Sequence, residues 1–214
     1  MVGVDLPVAC ELHWKISFDD HLKAIPHSAP LYYWADPQSL AWSRDERAAL
    51  AESADMGWLL EPFPHGPHGH PEGGADCPVQ LVLWTYDVET LEPVVPLPPL
   101  DPHYFEVVLR GLSRMAPALE GYFDRLPKPV VDGGYYAKTQ ENRPLIGPLP
   151  VEGAYIVGAL SGFGIMAACA AGELLAAHLT GGELPSYAPW FLLERYDDPE
   201  YRRLLAEWDD SGQL

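Results

Sequence analysis

Residues 155–166 read YIVGALSGFGIM, and few backbone paths accommodate that order. A short apolar strand runs into glycines at 158, 162 and 164, and an apolar stretch without proline continues to residue 179. This order predicts a strand, a sharp turn and a long helix. The glycines let the chain turn and approach a ligand without Cβ clashes. Ser161 is placed to cap the helix. The N–H groups of residues 163–166 lack intrahelical partners and lie at the positive end of the helix. Such an end suits an anionic or electron-rich ligand. On spacing alone it is equally an ordinary strand-to-helix connection with a glycine packing contact. Residues 163–179 contain Glu173 and His178 and are short for a bilayer, which predicts a buried helix rather than a membrane span.

What precedes the turn limits its setting. Val8, Cys10, Leu12, Trp14, Ile16 and Phe18 alternate with Ala9, Glu11, His13, Lys15 and Ser17. That period of two predicts a half-buried strand with His13 on its polar phase, toward solvent or, as the alternative, toward a pocket. LYYW at 31–34, VQLVLWTY at 79–86 and PVVDGGYYAK at 129–138 also predict strands. Ser43 and Glu46 form a capping-box pattern ahead of a short helix. The proline-rich run at 93–102 predicts an extended connector, with Asp101 and Pro102 as N-cap and first residue of a helix through 103–115. A further helix is predicted through 118–126, a loop over 139–153, a strand over 154–159 and an amphipathic helix near 199–208. The order predicts an α+β chain: a mixed, mostly antiparallel sheet with flanking helices, then a C-terminal strand–turn–helix.

Charge removes two classes of partner. A net charge of −18 opposes binding to nucleic acid and to anionic membrane surfaces. The three cysteines, Cys10, Cys77 and Cys169, are odd in number and form no CxxC, which fits a reducing, cytoplasmic compartment. His65, His68 and His70 lie within six residues and could bind a transition metal. Glycines and prolines separate them, and the competing expectation for HGPHGHPEGGA at 65–75 is a surface loop.

Residues 133–148, GGYYAKTQENRPLIGP, add information that the turn alone lacks. A strand enters TQENRPLIG, an apolar strand AYIVGA follows, then LSGFG and the helix IMAACAAGELLAAHLTGG. This succession resembles the C-terminal portion of FAD-dependent oxidoreductases of the D-amino-acid oxidase type, which include glycine and sarcosine oxidases. The tail PWFLLERY, with Arg195, also resembles that family's closing segment. The resemblance implies a substrate-domain-like region over 1–130 and a flavin-contacting segment over 131–214. It implies that Gly162, Phe163, Gly164, Ile165 and Met166 contact FAD, with hydride transfer from an amine or amino-acid substrate to the flavin. It also implies an N-terminal GxGxxG segment for the ADP moiety. No GxGxxG and no Walker lysine occur in this sequence. The chain is therefore expected to be a C-terminal fragment or one half of a split enzyme, with a dinucleotide-binding partner or self-association. The alternative is a non-catalytic remnant or interaction module that keeps the fold without flavin.

Family members resembling glycine oxidase carry an arginine on the strand before the threonine, pairing with a substrate carboxylate. Here the residues are Tyr135, Tyr136, Ala137 and Lys138. Alternation puts Tyr136 and Lys138 on one face, where a phenol and a point charge are the candidate substrate contacts. Packing of the tyrosines within a sheet is the competing role. Glu141 replaces the family's commoner aspartate and is expected to structure its loop rather than catalyse.

Overall fold

The computed structural model describes residues 3–74, 77–87 and 90–208. Ala75, the end of the expected histidine loop, and residues 209–214 of the expected C-terminal segment lie outside the described residues. The elements, in chain order, are β1 (Ala9–Asp19), β2 (Tyr32–Tyr33), α1 (Arg44–Glu52), β3 (His68–Pro71), β4 (Val79–Leu83) and α2 (Tyr104–Leu112). They continue with β5 (Val130–Lys138), β6 (Leu145–Pro148), β7 (Tyr155–Gly158), α3 (Gly164–Thr180) and α4 (Pro199–Ala206). The fold is α+β, with a five-stranded sheet of order β2-β3-β4-β1-β5 and a two-stranded sheet of β6 and β7. By contacts the chain forms two compact units, Met1–Leu12 with Glu89–Pro93 and Tyr135–Leu214, and His13–Val88 with Val94–Gly134.

The core of the second unit forms where a sheet face meets α2. Antiparallel pairing sets Ile16 opposite Val82 and Phe18 opposite Gln80. Ile16, Phe18, Val82 and Trp84 are buried with Val107, Val108, Leu109 and Leu112 of α2. Each such side chain contributes about 1.5–3 kcal/mol relative to exposure. At Gly111 an added Cβ would lie 2.4 Å from the Trp84 ring, so helix and strand approach there only because the residue is glycine. The expected capping box is made: Ser43 Oγ accepts from Glu46 N–H, and Glu46 accepts from Ser43 N–H at 2.7 Å. Arg110, 2% exposed, ties α2 to α1 by donating to Glu106 at 2.9 Å and Glu46 at 2.6 Å.

Several local expectations differ from the structure. The expected loop at 65–75 contains β3, paired on one side with β2 and on the other with β4. Gly69 permits that double pairing, since a Cβ there would lie 2.5 Å from Leu81 O. His13 is buried, and its Nδ1 lies 3.1 Å from Thr85 Oγ1. The alternation of β1 thus identifies a strand but not its solvent face, because Glu11 and His13 are buried as well as Ile16 and Phe18. The helix expected over 118–126 is a 3₁₀ segment, Pro117–Tyr122, anchored where Tyr122 OH donates to the buried Asp20 carboxylate at 2.6 Å. Asp101 is not the N-cap of α2; that position is His103, whose N–H donates to Asp101 Oδ1 at 2.8 Å.

In the first unit β6 and β7 pair antiparallel, Leu145 to Gly158 and Pro148 to Tyr155. Strand β6 lies within the segment expected as loop. Ile146, Ala171, Leu174 and Ala188 form a small core beneath α3. The helix stops at Gly181, whose left-handed conformation (φ 66°) closes its C-terminus. The burial expected for α3 is not observed. Only Ala171 and Leu174 are buried, because the unit supplies packing partners to one narrow stripe of the helix. Ser161–Thr180 is long and apolar enough to cross a membrane by length and composition.

Candidate functional site

The candidate site rests on a loop fixed by its own polar groups. Thr139 Oγ1 accepts from Arg143 N–H at 2.9 Å and donates to Arg143 O at 2.8 Å, closing the turn after β5. Asn142, at φ 54°, takes the left-handed conformation that asparagine tolerates. Glu141 points inward. Its Oε1 accepts from Arg195 Nη2 at 2.7 Å, Tyr201 OH at 2.7 Å and Tyr196 OH at 2.8 Å. The Glu141 and Arg195 side chains are 1% and 2% exposed. Arg195 also donates to the carbonyls of Arg143 at 2.9 Å and Pro144 at 3.0 Å. Burial pushes the Glu141 carboxyl upward, but hydrogen bonds from Tyr201, its own backbone, Arg195 and Tyr196 outweigh burial and hold it below the usual range. The Tyr196 and Tyr201 phenols are pushed up, by burial first and then by donation to Glu141. These interactions give Glu141 the loop-structuring role expected of it.

The loop leads into β6, β6 holds β7, and β7 delivers the chain to the glycine turn. Ala159 and Ser161 both adopt positive φ, 52° and 50°, to make the reversal. A 3₁₀ turn, Ser161–Phe163, precedes α3. Ser161 does not cap the helix as expected. The N-cap is Phe163, with no side-chain hydrogen bond, and the Ser161 hydroxyl is buried without a partner among the described residues. The first N–H groups of α3 consequently have no side-chain acceptor at the N-cap. A Cβ built on Gly164 meets nothing within 4 Å. Ile165 and Met166 are 96% and 74% exposed. This helix end can receive an anionic or electron-rich group, an interaction of about 0.3–1 kcal/mol when exposed and ~2 kcal/mol when partly buried. The exposed apolar side chains beside it suit a flat ring better than a phosphate.

Tyr136 and Lys138 lie on β5 as expected, Tyr136 half-buried and Lys138 buried. Lys138 Nζ donates to Glu11 Oε2 at 2.8 Å, with the side chains only 5% and 10% exposed. Sequence reasoning missed Glu11, which lies 127 residues from its partner. Its one signal was an acid in the middle of a strand otherwise fit for a core. The histidines diverge. His65 Nδ1 lies 2.8 Å from Tyr33 OH, while His68 and His70 lie on β3 with Nδ1 at 2.7 Å from Gly66 O and 3.1 Å from Pro71 O. Burial lowers the His68 pKa, with His70 and His13 adding to the effect against the Gly66 hydrogen bond. Among the described residues, no group of three or more His, Cys, Asp or Glu is arranged to hold a metal ion.

No protein-family model matches the chain, and no curated protein matches it by sequence. Solved structures do. Iminodiacetate oxidase from Chelativorans sp. BNC1 matches with a TM-score of 0.54 at 15% identity, over 89% of this chain. Glycine oxidase from Geobacillus kaustophilus matches at 0.55 and 16%, over 91% of this chain. The chain shares their fold. Fructosamine oxidase from Aspergillus fumigatus matches at 0.52 and 11%, over 97% of this chain. The chain spans 41%, 41% and 43% of the length of these three oxidases.

Proposed function

We propose that the chain is the flavin-contacting part of an FAD-dependent oxidoreductase acting on small amines or amino acids. The observation that carries this reading is the uncapped head of α3, which follows β7 and its partner strand β6 after the loop that Glu141 and Arg195 brace, within a fold shared with three oxidases. Iminodiacetate, glycine and fructosamine, the compounds for which those oxidases are named, all contain nitrogen. Gly162, Phe163, Gly164, Ile165 and Met166 would hold the ring portion of FAD. When bound, FAD supplies the acceptor for a hydride taken from the substrate carbon next to nitrogen. The backbone N–H groups of α3 stabilise negative charge at the ring edge, and Gly164 keeps side-chain atoms out of its way. Tyr136 orients substrate through its phenol. Lys138, the other candidate contact on β5, is paired with Glu11, which offsets its charge.

The residues present fit the ring and not the ADP moiety, for which the sequence contains no GxGxxG. A separate dinucleotide-binding segment would supply that half and cover apolar surface now open on β7 and α3. Tyr155, Val157, Ile165, Met166 and Leu179 are all exposed there. Self-association through the same surface is the competing arrangement. The free thiols of Cys10, Cys77 and Cys169 accord with a cytoplasmic setting. A second reading, a non-catalytic remnant or interaction module, draws on one observation: the cation on β5 is already engaged by Glu11 rather than by an arginine-type clamp.

The test is a visible absorbance spectrum of the purified chain after incubation with FAD and desalting, repeated with a dinucleotide-binding segment added. A retained flavin band that is lost in Gly164→Leu, with the circular dichroism spectrum unchanged, supports the flavin reading. No band under either condition, from a folded chain, overturns it in favour of the second.

A further inference from the structure

A cavity of about 390 Å³ in the second unit lies at the end of β4, on the same strand face as the core residues Val82 and Trp84. That volume is within the range of small-molecule sites, about 300–1,000 Å³. Three aromatic rings line it. Trp58 and Tyr86 are near-parallel with centroids 6.1 Å apart, and Phe63 lies 5.9 Å from Trp58 and 5.2 Å from Tyr86. Phe63 is buried and Trp58 is 38% exposed, so one ring is anchored and another meets solvent. Two carboxylates, Asp87 and Asp101, complete the wall, and none of the lining residues is basic. Burial first, and then the charges of Asp101 and Asp87, push the Tyr86 phenol well above its ordinary range.

We propose that this cavity binds a small alkylated ammonium cation, a quaternary methylammonium in particular. Aromatic faces attract a cation within about 6 Å of the ring centroid, and methyl groups on nitrogen spread the charge and favour apolar contact. Carboxylates at the rim supply the counter-charge, and the chain's net charge of −18 raises the local concentration of cations. A contrast within the molecule supports the assignment. A second aromatic cavity, lined by Trp190 and Tyr201, contains its own cation, with Arg143 5.6 Å and 5.9 Å from those ring centroids. Among the described residues, the cavity at Trp58 has the rings and the acids without such an internal cation. The proposal is independent of flavin and stands whether or not the α3 turn binds FAD.

The test uses the purified full chain without flavin. Choline and its neutral carbon isostere, 3,3-dimethylbutan-1-ol, are titrated by calorimetry and by tryptophan fluorescence. Choline is expected to bind at least about tenfold tighter than the isostere, and Trp58→Ala is expected to weaken choline about tenfold. The double variant Asp87→Asn/Asp101→Asn should weaken choline, leave the isostere unchanged and reduce the salt dependence of binding. This double variant carries the test if Trp58→Ala does not fold. Equal binding of the two compounds would identify a merely apolar slot and overturn the proposal. So would an absence of saturable choline binding at millimolar concentration, or unchanged affinity in the double variant.

Discussion

Replacing Arg195 by alanine tests how the loop between β5 and β6 is held. The Arg195 guanidinium donates to Glu141 at 2.7 Å and 3.0 Å and to the carbonyls of Arg143 and Pro144, while both side chains of the ion pair are at most 2% exposed. The alanine variant strands a carboxylate in the interior with the phenols of Tyr196 and Tyr201 and its own backbone N–H as the remaining donors. It also leaves two loop carbonyls without this donor. Breaking a buried pair from one side costs about 3–5 kcal/mol. For a chain of this length that corresponds to a fall in Tm of roughly 6–20 °C. Thermal unfolding followed by circular dichroism at pH 7, with urea midpoints in parallel, measures it. The double variant Glu141→Gln/Arg195→Met removes the stranded charge and should recover part of the loss. A fall of less than about 2 °C would refute the argument, as would a double variant no more stable than the single.

Acid should expose the same pair. The folded-state pKa of Glu141 is depressed, so its contribution is present above its ordinary value of 4.5 and disappears as pH falls through the lower folded value. A stability–pH profile should show this acid loss in the native chain and a flatter limb in Arg195→Ala. Gly111→Ala places a methyl 2.4 Å from the Trp84 ring, and the overpacking of about 1–3 kcal/mol should outweigh a gain in helix propensity of about 1 kcal/mol. A lower urea midpoint with altered tryptophan emission is the expected result. Lys138→Met should lower the urea midpoint more than the double variant Lys138→Met/Glu11→Leu, because the single change leaves the Glu11 carboxylate buried beside an apolar group.

Much of the fold was legible where local chemistry decides it. The capping box at Ser43 and Glu46 made α1 readable, and β-branched and aromatic residues did the same for β4. The succession from Thr139 to Met166 exposed the braced loop and the turn, because its motifs are contiguous in sequence. What remained hidden depends on distant partners. Strand β3 contains glycine and proline and has no strand propensity; it exists because β2 and β4 pair with it. The burial of His13 depends on Thr85, 72 residues away, and that of Glu11 on Lys138. The length and apolarity of α3 were plain, but its exposure was not, because composition records what a helix could bury and not what is there to cover it.

Gly164 carries a consequence for any attempt to improve this protein by selection. A Cβ there would meet no neighbouring atom within 4 Å, and exchanging glycine for alanine at an unstrained position gains about 0.4–1 kcal/mol by restricting the unfolded chain. A screen that rewards heat resistance alone would therefore accumulate substitutions at this position and count each as progress. The space in front of the helix would fill without any fall in Tm. Only a screen that also scores retention of the proposed flavin would register the difference, so the two properties have to be selected together from the first round.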